Sequence, residues 1–159
     1  MLREARVQPV LLDTYLAVVK NSTGSNAFRN FYAKVRGRKR DIARDGELSC
    51  AFFVSSVLLT FGLIKRLHGT VSGVERDLKR SGWKRIARPR TGSIFVWEEL
   101  EDDRGEGHKH IGFYLGGTKS VSNSSRLGQP AEHHFKFMTK NGCCRKISAI
   151  HWHPRLARG

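Results

Sequence analysis

The sequence predicts an α+β domain, with helices in its first half and antiparallel strands in its second. Three observations lead there. Apolar residues in the first 80 positions recur at helical spacing. From Trp83 onward they fall into short segments rich in aromatic and β-branched residues, separated by turn residues. Between the two regions, Ser49 to Ile64 is apolar nearly all round, as expected of a helix buried on most sides and packed on a sheet. A length of 159 residues suits one domain, and a hydrophobic fraction of 39% is enough for a core.

Taken in order, Pro9 suits the first turn of a helix whose apolar stripe is Val10, Leu11, Tyr15, Val18 and Val19. Asn21 to Ser25 ends it. A second short helix is expected from Asn26 to about Val35, with Phe28, Phe31 and Tyr32 on its buried side. The densest basic run, Arg36 to Arg40, follows, and then a turn at Asp45-Gly46. Residues 1–45 thus read as an N-terminal helical part, 46–154 as the core and 155–159 as a basic tail. After the central helix Gly69 breaks the chain. Ser72 with Glu75 fits a capping box for a helix burying Val74 and Leu78, and Gly82 ends it. Strands are expected at Trp83–Ile86, Ser93–Trp97, His110–Leu115, Ser120–Asn123, His134–Met138 and Ile147–Trp152. Gly116-Gly117 marks a hairpin.

Composition narrows the function classes. Three cysteines, Cys50, Cys143 and Cys144, are too few for a disulfide framework. The longest apolar run, Ala51 to Ile64, is too short to span a bilayer and is broken by Ser55, Ser56, Thr60 and Gly62. The N-terminus mixes charges into its apolar positions, so no secretory signal is read. Cytosolic synthesis is expected, and export would need another route. The formal net charge of +15 favours polyanions as partners: nucleic acid, an anionic cell wall or an anionic membrane.

Cys50 opens the buried helix just after Ser49, a suitable N-cap. A helix N-terminus offers unpaired N–H groups and partial positive charge, which favour a thiolate and can bind an oxyanion. The competing reading is an inert buried cysteine. In His108-Lys-His110-Ile-Gly112-Phe-Tyr114-Leu, strand alternation puts His110, Gly112 and Tyr114 on one face and Ile111, Phe113 and Leu115 on the core side. His110 is thus placed as a base, with Gly112 leaving room beside the imidazole for the nucleophile's helix. A third, orienting member is expected on the next strand at Asn123. Ser122 would replace it after a one-residue register slip, and His133 and His134 are more distant candidates.

These segments carry a resemblance. Gly46-Glu-Leu-Ser-Cys50-Ala-Phe-Phe-Val-Ser-Ser, Pro89-Arg-Thr-Gly92-Ser-Ile-Phe-Val-Trp97 and His110-Ile-Gly-Phe-Tyr-Leu-Gly116 together resemble the NlpC/P60 and CHAP superfamily of papain-like amidohydrolases, in that superfamily's order. The resemblance spans about residues 46 to 125. It implies a thiol hydrolase without metal or cofactor that cleaves a peptide or amide bond, in many relatives within bacterial peptidoglycan. Cys50 carries over as nucleophile and His110 as base. The third position falls at Ser122 or Asn123, of which Asn123 is chosen. Ser49, Phe52 and Ser93 depart from the residues usual there.

Three rival readings follow from other features. His108-x-His110, His151-x-His153 and Cys143-Cys144 offer metal ligands, but without a standard four-ligand spacing. Arg36 to Arg40, Lys79 to Arg90 and the tail from Arg155 would suit a nucleic-acid- or polyanion-binding module. A binding domain that kept the fold without the activity is the third.

Overall fold

The computed structural model describes residues 5–137 and 142–157, and over these the chain is α+β with three α-helices and antiparallel sheets. Helix α1 (Leu11–Asn21) buries Tyr15 and Val19, and Pro9 lies just before it rather than in its first turn. The Tyr15 hydroxyl donates to Gly92 O at 3.0 Å, tying α1 to the turn that leads into the sheet.

The second expected helix is absent. Residues 32–41 form instead a two-stranded hairpin, β1 (Tyr32–Val35) with β2 (Arg38–Asp41). The aromatic spacing that suggested a helix lost to turn chemistry. Arg36 and Gly37 both have positive φ, 51° and 77°, the conformation of a tight hairpin turn. The Asp41 carboxylate then accepts from the N–H groups of Phe31, Ala43 and Asp45 and from Asn30 Nδ2. Tyr32, expected to be buried, is 62% exposed. Phe31 stacks on Phe52 at 4.5 Å, and Phe28 meets Phe53 edge-on at 4.9 Å, so these two rings do cover the central helix.

That helix is α2 (Cys50–Thr60), ending earlier than Ile64; Leu63 and Ile64 are buried in the turn that follows it. Helix α3 (Val71–Arg80) buries Val74 and Leu78 as expected, but its N-cap is Thr70, which accepts from Gly73 N, and not Ser72. Glu75, assigned to the capping box, pairs with Lys109 at 3.0 Å.

The remaining strands are β3 (Lys84–Arg85), β4 (Ile94–Glu101), β5 (Gly107–Gly116), β6 (Lys119–Ser124), β7 (Gln129–His134) and β8 (Ile147–Trp152). They make one antiparallel sheet in the order β3-β8-β4-β5-β6-β7. The last hairpin strand precedes the expected His134–Met138, and Met138 lies outside the described residues, as do Arg158 and Gly159 of the tail. Helix α2 packs on β5 and β6. Ile111, Phe113 and Val121 from the sheet, with Phe53, Val54, Val57 and Leu58 from α2, form the shared core. Among the described residues no helix is long and apolar enough to cross a membrane.

Candidate functional site

Cys50 starts α2 and is half-buried, with its thiol against the backbone of β5 at Ile111. Ser49 occupies the N-cap position but does not cap: its hydroxyl donates to Phe28 O. The free N–H groups of the first turn are therefore not answered by a capping side chain. Burial pushes the Cys50 thiol above its ordinary value, against a smaller downward pull from the backbone of Ile111 and Ala51 and from Arg145. The expected helix-terminus effect acts in the expected direction, but desolvation outweighs it. At neutral pH Cys50 is a thiol.

His110 lies on β5 opposite Trp97 of β4. Its ring leans on Trp97 at 5.6 Å and meets Phe137 edge-on at 5.3 Å. Burial in this aromatic setting, with the positive charge of Arg145 and the neighbouring His133, lowers its pKa to about 3. The imidazole is thus neutral, and no hydrogen bond joins it to Cys50 in this resting arrangement of the described residues.

The hydrogen-bond partner of His110 is Ser122. Gly112 pairs with Ser122 across β5 and β6, and a Cβ on Gly112 would sit 2.7 Å from Ser122 Cβ and 3.2 Å from the Trp97 ring. The missing side chain at Gly112 makes room for Ser122 and Trp97, not for the nucleophile's helix as the sequence suggested. Ser122 Oγ lies 2.8 Å from His110 Nε2 and 2.7 Å from His133 Nε2. Asn123, one residue on, points to the other face. It donates from Nδ2 to Gly46 O at 2.7 Å, and its Oδ1 is buried without a partner. Asn123 is therefore corrected from an imidazole partner to a tie on the loop that leads into Cys50.

Proton positions follow from the acceptors. His133 Nδ1 faces the His134 carbonyl at 2.8 Å, so it carries the hydrogen. Burial lowers the His133 pKa, so its Nε2 is bare and accepts from the Ser122 hydroxyl. Ser122 Oγ then accepts from His110 Nε2–H, which leaves His110 Nδ1 as an unprotonated base. His133 is held by stacking on Phe137, at a ring separation of 3.9 Å. His134, the other candidate, contributes only its carbonyl to this chain; its Nδ1 accepts from Lys136 N.

Arg145 is a further site residue, and nothing in Gly142-Cys-Cys-Arg145-Lys marks it in the sequence. Its Nε donates to Glu98 O at 2.9 Å and its Nη2 to His108 O at 2.6 Å. Its charge acts on both Cys50 and His110.

The histidine pairs of the metal reading do not converge. His110 belongs to the relay, and His153 Nε2 meets Ser81 O. Asp102, Glu106 and His108 do gather at one hairpin end, with His108 Nε2 at 3.3 and 3.4 Å from the two carboxylates. Glu106 is already paired to Arg44 at 3.0 Å.

No protein-family model matches the chain, and no curated protein matches it.

Proposed function

We propose that the chain is a thiol-dependent amidohydrolase of papain-like architecture, cutting peptide or amide bonds of the kind found in bacterial peptidoglycan. The observation that carries this reading is the relay His110–Ser122–His133 on the sheet, with Cys50 opening α2 against the β5 backbone at Ile111, the residue next to His110. The substrate class comes from the resemblance of the three sequence segments.

The neutral resting site favours general-base catalysis over a preformed thiolate–imidazolium pair. As the Cys50 sulfur attacks the amide carbonyl carbon, its proton passes to His110 Nδ1, and negative charge gathers on the carbonyl oxygen. Free N–H groups at the start of α2 suit that oxyanion. The imidazolium returns its proton to the leaving amine as the C–N bond breaks, giving an amine and a Cys50 thioester. Water activated by the same nitrogen then releases the acid and restores the thiol. A hydrogen bond absent in the free site and made only with substrate bound is compatible with this role.

The test is release of new primary amines from a mixture of peptidoglycan peptides, read by mass spectrometry. Wild-type protein should release them and Cys50→Ala should not. Amine release that survives in Cys50→Ala would defeat the reading, as would none from any peptide in the mixture.

A specific feature favours an added polyanion-binding role. None of Lys34, Arg36, Arg38, Lys39 and Arg40 on the hairpin forms an ion pair with the described residues, and Lys34 sits directly opposite Lys39. Like charges opposed across strands destabilise a hairpin, and an anionic polymer would relieve that. Binding to anionic wall polymer should weaken steeply with salt, and more weakly so after the five are changed to Gln.

A further inference from the structure

We propose that Arg145 forms an anion-binding subsite beside Cys50, so that the preferred substrate carries a free carboxylate next to the amide bond that is cut. This deepens the hydrolase reading and rests on it.

The guanidinium is fixed by two hydrogen bonds, and the backbone of the same residue by a third. Arg145 N donates to Phe137 O at 2.6 Å, Nε to Glu98 O at 2.9 Å and Nη2 to His108 O at 2.6 Å. Both acceptors of the guanidinium, Glu98 O and His108 O, are neutral carbonyls. They orient the cation without cancelling its charge. Among the described residues Arg145 has no carboxylate within ion-pair distance. Glu98 is felt at Arg145, but its Oε1 is committed to Lys146 N at 2.9 Å.

The rest of the site supplies no counter-charge either. The thiol of Cys50 and the imidazole of His110 are neutral, and Ser122 and His133 are committed to each other. A partly buried cation held this way is incompletely satisfied, because removing charge from water is costly unless a partner is found. Arginine presents donors in a planar fork that matches a carboxylate, and the donors not used by Glu98 and His108 remain for a ligand. A substrate carboxylate completes the arrangement and brings its neighbouring carbonyl to Cys50. Nε is anchored to the middle of β4 at Glu98 and Nη2 to the start of β5 at His108, so the subsite is set by the sheet that sets His110.

The test uses two small alkylating agents on the variant Cys143→Ser/Cys144→Ser, which leaves Cys50 as the sole thiol. Iodoacetate is an anion and iodoacetamide is its neutral analogue. The ratio of their rates at one pH cancels the thiolate fraction. With Arg145 present, the iodoacetate to iodoacetamide ratio should exceed that of Arg145→Gln by about tenfold at low salt, the size of one nearby charge at a partly shielded site. Salt should erode the excess. Native against urea-unfolded chain gives the same comparison without touching Arg145, and serves if Arg145→Gln does not fold. A ratio equal in the native protein, in Arg145→Gln and in urea overturns the subsite. If iodoacetamide still modifies native Cys50 in that case, the nucleophile reading stands alone. If neither reagent reaches Cys50 in the native protein, the nucleophile reading and the subsite fall together.

Discussion

His68 and His110 are both largely buried imidazoles with a 2.8 Å contact at Nε2, but His68 faces a carboxylate and His110 a hydroxyl. Asp77, the partner of His68, also accepts from Ser81 Oγ at 2.8 Å and from the N–H groups of Lys65 and Arg66. Burial raises the Asp77 carboxyl, but the hydrogen bonds from His68, Ser81, Lys65 and Arg66 together outweigh it and hold the group below the usual carboxylate range. The cluster is a clasp: an anion with its donors satisfied, joining α3 to the segment after α2. His110 has no carboxylate. Its partner Ser122 can only pass a hydrogen bond along to His133, so nothing compensates burial and the ring stays neutral. On the proposed hydrolase reading, the difference teaches how one residue type is made either structural or chemical. A carboxylate with other donors already on it ties the ring into a structural cluster, while a hydroxyl relay fixes the ring and leaves one nitrogen bare.

The largest expected effect lies on the chemical side. His110→Gln should lower amide hydrolysis by about 10³-fold, within the range for a general acid–base group. It should also change acid stability in a defined direction. The folded pKa is about 3 and the ordinary value 6.5, so the folded state prefers the neutral ring. That contribution is fully present above pH 6.5 and is lost as pH falls from 6.5 toward 3. Urea titrations across this window should show the wild-type stability falling with decreasing pH more steeply than His110→Gln, by about 1.4 kcal/mol per pH unit. Parallel slopes would mean that the ring is not buried in its neutral form.

On the structural side, Asp77→Ala should cost about 2 kcal/mol, because it leaves the partly buried N–H groups of Lys65 and Arg66 and the His68 ring without an acceptor. Chemical denaturation measures it, and a loss under 1 kcal/mol would show the clasp to be dispensable. Its sign with pH is that of a depressed carboxyl: the stabilisation is present above about pH 4, the ordinary aspartate range, and is lost as pH falls through the folded value. Amide hydrolysis at pH 7 by the folded variant should be unchanged.

Much of this contrast was legible in the sequence and part was not. Period-2 alternation placed Ile111 and Phe113 in the core and His110 on the other face, and the buried helix beginning at Cys50 followed from its uniform apolarity. The hairpin at 32–41 is hidden in the sequence because Phe28, Phe31 and Tyr32 imitate helical spacing, while the deciding feature is a positive-φ turn at Arg36-Gly37. A helix terminus is visible in a sequence and favours a low-pKa thiol at Cys50, whereas the desolvation that outweighs it arises only when β5 and α2 pack together. Arg145 was invisible for a similar reason. Its role depends on carbonyls some 40 residues away in the chain, on Glu98 and His108.

The finest part of the site turned on a single residue of register, and two adjacent substitutions test it. Ser122 and Asn123 are both 2% exposed, yet one touches His110 and the other touches Gly46. Ser122→Ala removes the hydroxyl between two imidazoles. Hydrolysis should fall about tenfold, the worth of one hydrogen bond of about 1.4 kcal/mol. Nitrogen-15 shifts of His110 should show the hydrogen no longer held at Nε2. Asn123→Ala should leave those shifts in place and lower stability by about 1 kcal/mol, since only one of its two amide ends is hydrogen-bonded. If Asn123→Ala instead moved the His110 tautomer and Ser122→Ala did not, strand β6 would be paired one residue out of register. The orienting role would then return to Asn123, because a one-residue slip exchanges every side chain between the two faces of a strand.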